Sequence, residues 1–140
     1  MITMAFNNIH LDAPADWTDL SVVTLAGPTE GGFRPNVLVT RDEQTTPIAV
    51  DEYARAQIKE LRKGMKKYAV HKEEATVVDG RNAFLLEHSF RTPENQAVRQ
   101  MQLFVGRGNM IFTLALTSSE ADFEKNRDVF AGIARSFRMS

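Results

Sequence analysis

Three histidines, the acidic pairs Asp42-Glu43 and Glu73-Glu74, the serine pair Ser118-Ser119, and Arg41 and Arg99 are the residues weighed first for chemistry. His10, His71 and His88 are far apart, and none has the i, i+4 partner that a helical metal site uses. His88 falls on the apolar side of its segment and reads as a core or edge histidine with one hydrogen bond. Asp42-Glu43 and Glu73-Glu74 are sequence neighbours, and neighbours on a strand point to opposite faces, so neither pair forms an acid–base couple. Ser118 and Ser119 stand at a strand-to-helix junction where a nucleophile could be presented. No G-x-S-x-G surrounds them, and helix capping accounts for both. Gly106-Arg107-Gly108 precedes a strand, which makes it a hairpin turn and not a phosphate loop. Arg41 and Arg99 could hold an anion if brought together, or could pair with carboxylates such as Glu52 or Glu87. No active site assembles from this set. The chain reads as a binder, with no cofactor and no metal expected.

The elements that must carry these residues follow from periodicity and turn signals. Residues 4–13 read as a short first strand stopped at Pro14. Asp16 to Asp19 reads as a turn bearing Trp17 as a core plug. Leu20 to Ala26 alternates as a second strand ending at Gly27-Pro28, with Thr29 to Gly32 as a flexible loop. Asn36 to Arg41 is the third strand. A helix follows, capped by Asp51, with Val50, Ala54, Ile58, Leu61 and Met65 on one stripe and Glu52, Arg55, Lys59, Arg62 and Lys66 outside. Tyr68 to Val78 turns at Asp79-Gly80 into Arg81 to Thr92, a strong hairpin signal. Pro93-Glu94-Asn95 leads into a second hairpin, and Ser118 or Ser119 caps a last helix from Glu120 to Arg135. The expected class is α+β: one domain over 1–140, with a twisted antiparallel sheet of about six to seven strands and two main helices.

The second hairpin is the informative stretch. Its arms, Gln96 to Val105 and Met110 to Thr117, alternate with period 2 about Gly106-Arg107-Gly108-Asn109. One face takes Met101, Leu103, Val105, Phe112, Leu114 and Leu116, all large and apolar, as a core surface requires. The other takes Val98, Gln100, Gln102, Phe104, Ile111, Thr113, Ala115 and Thr117. An exposed antiparallel face normally carries Lys, Glu and Arg. This one carries small, β-branched and amide side chains, so it is expected to be covered, either by a partner or by one of the chain's own helices.

Bulk properties narrow the classes. With 17 basic and 18 acidic residues the net charge is −1, which argues against a nucleic-acid surface. The one basic cluster, Arg62, Lys63, Lys66 and Lys67, sits where a helix end favours cations. Cysteine is absent, so no disulfide framework or thiolate metal site is possible. No run approaches the roughly 20 apolar residues of a membrane span, and the first residues lack the basic-then-apolar order of a leader. A soluble, cytoplasmic protein is expected on that basis.

Beyond these readings, the series Trp17-Thr18-Asp19, Asn36 to Arg41, Tyr53-Ala54-Arg55-Ala56-Gln57, Val78-Asp79-Gly80, Arg99-Gln100, Leu116 to Ser119 and Ser136-Phe137-Arg138 resembles the DcrB-like group of the PsbP-like superfamily. More closely it resembles the Eag chaperones, effector-associated adaptors of bacterial type VI secretion. The resemblance covers nearly the whole chain. It implies a small cytoplasmic homodimer that shelters the N-terminal transmembrane helices of a secreted effector and helps load it onto the spike protein. Carried over by strand and register, the helix-gripping positions are Val22, Thr24, Leu38, Leu85, Val98, Gln100, Gln102, Ile111 and Thr113. Gln102 and the turn length depart from the family's commoner pattern, which affects the register after Gln100. Physically, short side chains such as Thr24, Thr113 and Ala115 would let a small-residue helix lie close, and the amides would answer its polar groups. An extracytoplasmic accessory protein is the alternative reading.

Overall fold

In the computed structural model, which describes residues 2–6, 9–18, 22–28 and 32–139, the main body is a six-stranded antiparallel sheet with a helix on each face. In chain order the elements are β1 (Ile2–Phe6), β2 (Ile9–Ala13), β3 (Val23–Ala26), β4 (Asn36–Glu43), α1 (Val50–Gly64), β5 (Lys66–Val78), β6 (Arg81–Arg91), β7 (Ala97–Arg107), β8 (Met110–Ser119) and α2 (Phe123–Ser136). The sheet order is β3-β4-β8-β7-β6-β5, while β1 and β2 pair as a separate hairpin. The α+β expectation holds. Consecutive β5 to β8 form a meander because each connection is short, two residues at β5–β6 and β7–β8 and five at β6–β7. Asp79 and Gly80 take positive φ of 53° and 70°, the pair of left-handed residues that a two-residue hairpin turn demands.

Several boundaries differ from the expectations. Residues 4–13 are not one strand: Ile2 pairs with Ala13 and Phe6 with Ile9, so alternation runs on through a hairpin. The joining Asn7-Asn8 lies outside the described residues, as do Leu20, Ser21 and Thr29 to Gly31. Trp17 is no core plug, since it stands 66% exposed just past the Pro14 turn. The β7–β8 turn is shorter than expected: Arg107 pairs with Met110, leaving Gly108-Asn109 as the loop, with Gly108 at φ 61°. Asp51 does not cap α1, whose N-cap is Ala49. One residue inside the helix, Asp51 instead accepts a 2.8 Å hydrogen bond from Arg55. Lys66 and Lys67 belong to β5 and not to the helix end. α2 begins at Phe123, because Glu120 to Asp122 form a turn in which the Ser119 hydroxyl accepts the Asp122 N–H at 3.1 Å.

Two cores result. Tyr53, Ala54 and Ile58 of α1 pack on Phe84, Leu86, Phe104 and Ile111. Phe123 and Phe130 of α2 pack on the opposite face, over Met101, Leu103, Val105, Leu114 and Leu116. The large-apolar hairpin face therefore is core, and the Phe104–Ile111 end of the uncharged face is covered by the chain's own first helix. Gly106 makes that approach possible: a Cβ there would stand 2.7 Å from Val50 Cγ1.

Candidate functional site

On the α1 side of the sheet, cross-strand rows define what α1 leaves open. One row runs Thr24, Leu38, Ala115, Gln102 and Leu86, and the next runs Thr40, Thr113, Phe104 and Phe84. α1 lies over the Leu86, Phe84 and Phe104 ends of these rows. At the sheet's far side it is tied to β4 by Tyr53, whose hydroxyl donates to Asp42 at 2.7 Å. Burial, helped by that hydrogen bond, raises the Tyr53 pKa above its ordinary value. The remaining strip comprises Thr24, Leu38, Thr40, Thr113, Ala115 and Gln102, exposed or half-buried and without one ionisable group. The Gln102 Oε1 is buried beneath it with no hydrogen-bond partner, one of two such buried side-chain atoms among the described residues, the other being the Arg81 Nε at the start of β6.

The positions carried over from the resemblance separate into three groups. Thr24, Leu38, Gln102 and Thr113 share the strip, and Val22 stands exposed just ahead of β3. Val98 and Ile111, 1% and 0% exposed, are sealed in the monomer. Leu85 lies on the opposite face: it pairs with Leu103 and packs at the edge of the α2 core.

Gln100 borders the strip, but its amide is already engaged. The Tyr68 hydroxyl meets His88 Nδ1 at 2.6 Å, His88 Nε2 meets Gln100 Oε1 at 2.7 Å, and Gln100 Nε2 donates to Thr117 Oγ1 at 2.8 Å. Because Oε1 only accepts, His88 carries its proton on Nε2 and Tyr68 donates to Nδ1. His88 thus has two hydrogen bonds where one was expected. Burial lowers the pKa of this fully enclosed imidazole against the opposing pull of Gln100, so it is neutral. Burial pushes Tyr68 up to about 12.

A second polar cluster was not foreseen. Glu87 is buried on the α2 face, where it accepts from Arg99 at 2.8 Å and Arg127 at 2.8 Å. Both guanidiniums also lie over the Phe123 ring, at 5.3 and 5.0 Å from its centroid. Burial alone would raise the Glu87 pKa, but the two arginines outweigh it and hold the carboxyl below its ordinary value. Their other carboxylates, Glu120 and Glu124, sit at 3.2 and 2.7 Å. The available signal was an acid inside the apolar run Ala83 to Phe90, since a buried carboxylate calls for a cation. Arg99 therefore serves the fold and not a free anion.

Among the described residues no three His, Asp or Glu side chains gather as a metal site, and no helix is long and apolar enough to cross a membrane. Fold and site together define a helix-flanked antiparallel scaffold with an open, uncharged sheet strip. The DcrB family model matches residues 9–136, and the chain belongs to the DcrB family. Among solved structures, the chain is similar to PA94 from Pseudomonas aeruginosa, a protein of unknown function and putative regulator. The TM-score is 0.83 at 19% identity, over 100% of this chain and 97% of that one. It is also similar to LpqN, involved in cell envelope biogenesis of Mycobacterium tuberculosis, with a TM-score of 0.62 at 16% identity over 79% of this chain and 65% of that one. The cyanobacterial PsbP (CyanoP) from Synechocystis sp. PCC 6803 shares the fold as well, with a TM-score of 0.60 at 13% identity over 93% and 99%. No curated protein matches by sequence.

Proposed function

We propose that this protein is a chaperone and adaptor of the Eag type. In that role it shelters the apolar N-terminal helices of a type VI secretion effector in the cytoplasm and brings the effector to the spike protein. The observation that carries the reading is the open strip of Thr24, Leu38, Thr40, Thr113, Ala115 and Gln102, whose one buried unsatisfied acceptor is the Gln102 Oε1. A helix with small or hydroxyl residues supplies what the strip lacks: apolar cover for Leu38 and Ala115, and a donor for Gln102 once its amide turns outward. The resemblance to the Eag chaperones supplies the client class. The test is coexpression with a candidate effector, with and without its N-terminal apolar region. Soluble effector should depend on this chain only when that region is present. Equal recovery in all arms would remove the proposal.

Homodimerisation belongs to the same reading and is supported by a contrast between the sheet's two edges. β5 is guarded: it carries Lys72, Glu73 and Glu74, with register shifts at Lys66/Ala69 and Val70/Lys72. β3 carries no charge, its Val23 and Leu25 are exposed along with Val22 just before it, and Leu25 and Val129 of α2 line one groove. An unguarded edge of this kind invites pairing with a second copy. Pairing there would set two client strips in one continuous sheet. Leu25→Glu should convert a dimer to a monomer in sedimentation equilibrium; an unchanged mass would exclude this edge. The likeness in fold to LpqN, which is involved in cell envelope biogenesis, favours the alternative of an accessory role outside the cytoplasm. Fractionation of cells expressing the native gene distinguishes the two.

A further inference from the structure

We infer a second binding site, on the opposite face from the client strip and independent of it: a groove between α2 and the β5–β6 end of the sheet that takes a single medium-chain fatty acyl carboxylate. α2 packs over the middle strands and leaves this end of its sheet face uncovered, a groove of about 770 Å³. That is within the range of small-molecule sites. Its floor is Leu85, Met101 and Leu103, three apolar side chains from two paired strands. Its wall is one face of α2, where Ala131, Ala134 and Arg135 follow helical spacing, and Arg138 lines it from just beyond the helix end. Ala131 and Ala134 keep that wall low. Arg135 and Arg138 then place two guanidiniums at one end.

The charges give the groove a direction. Arg138 is partly engaged: its Nη1 donates to the Arg135 and Phe137 carbonyls at 2.8 and 2.7 Å, and its Nε lies 3.8 Å from Asp79. Arg135 is exposed and makes no ion pair among the described residues. Toward the other end of α2 the same helical spacing places Asp128, which disfavours an anion there, while Asp79 at the Arg138 end is already met by the Met139 N–H at 3.0 Å and by Arg138. An anionic head therefore belongs at Arg135, with an apolar tail running over Leu85 and Leu103.

The test is calorimetric titration of the full chain with octanoate, decanoate and dodecanoate below their micelle concentrations, with dodecanol and dodecyltrimethylammonium as head-group controls. Dodecanoate should bind one per chain, with affinity rising about fourfold per added CH₂ across the series. The neutral and cationic heads should bind at least tenfold more weakly. Arg135→Glu, an exposed change that leaves the core alone, should weaken dodecanoate at least tenfold. Ala131→Trp, which fills the groove, should abolish binding, while Leu38→Asp on the other face should leave it unchanged. No saturable binding, no dependence on head charge, or loss through Leu38→Asp instead of Arg135→Glu would each overturn the proposal. So would binding of an acidic amphipathic helical peptide through Arg135 with none of dodecanoate, which would make the groove a protein-docking site.

Discussion

Replacing Glu87 by Gln tests how far a buried charge cluster, and not the apolar core alone, fastens α2 to the sheet. The side chain is 4% exposed and is held by Arg99 and Arg127, themselves 21% and 35% exposed. Removing one partner from a buried ion pair costs about 3–5 kcal/mol, because the other charge is left uncompensated. Here each arginine keeps a second carboxylate, Glu120 at 3.2 Å and Glu124 at 2.7 Å, and Arg127 reaches water. Those partners recover part of the loss, which brings the expected cost to about 2–3 kcal/mol at pH 7. For a chain of this size that is a fall in Tm of about 6–12 °C. Urea unfolding should show the midpoint moving with the slope unchanged. The pH dependence has a definite sign. Glu87 has a folded pKa below its ordinary 4.5, so its stabilisation is present above the unfolded value and is lost as pH falls through the folded one. The gap between wild type and Glu87→Gln should therefore shrink below about pH 4.3. A gap under about 0.5 kcal/mol at pH 7, the size of a change at an unremarkable surface site, would refute the assignment, as would a gap independent of pH.

Three further outcomes follow from the packing. Gly106→Ala should destabilise by about 1–3 kcal/mol through overpacking, because its Cβ would sit 2.7 Å from Val50 Cγ1; thermal melts comparing it with Gly106→Ala/Val50→Ala should show the relief. His88 is buried neutral, with its pKa lowered chiefly by burial, so the unfolded chain binds more protons below about pH 6.5 and stability should fall from pH 7 to pH 5. His88→Gln should flatten that fall in urea titrations, and an unchanged slope would remove His88 as its source. Leu38→Asp should impair effector recovery at nearly unchanged Tm, whereas Val98→Gln should lower Tm by burying an amide at a 1% exposed site; equal effects on recovery and Tm in both would contradict the division between strip and core.

Much of the architecture is legible in local pattern. Period-2 alternation separates Met101, Leu103 and Val105 from Gln100, Gln102 and Phe104 without any knowledge of what covers either face, and Asp79-Gly80 announces its turn by composition. The errors have equally local causes. A hairpin of matched strands reads as one strand when its turn residues are not recognised, and Trp17 looks like core because size alone carries no information about burial. The division of the carried-over positions was beyond reach of the same reasoning. Thr24, Leu38, Gln102 and Thr113 share an open strip while Val98 and Ile111 are sealed, although all six alternate onto the same face.

The chain's own order of residues determined the number of main helices, the meander, and the two chemically different faces of the β7–β8 hairpin, because strand and helix periodicity are properties of short segments. The tertiary structure alone decided that α1 covers only part of the uncharged face, that α2 leaves the Leu85 end open, and that Glu87 meets Arg127 from forty residues away. Such pairings depend on where a helix settles across six strands, and that is set by long-range packing at sites like Gly106 and Val50, not by any repeat in the sequence.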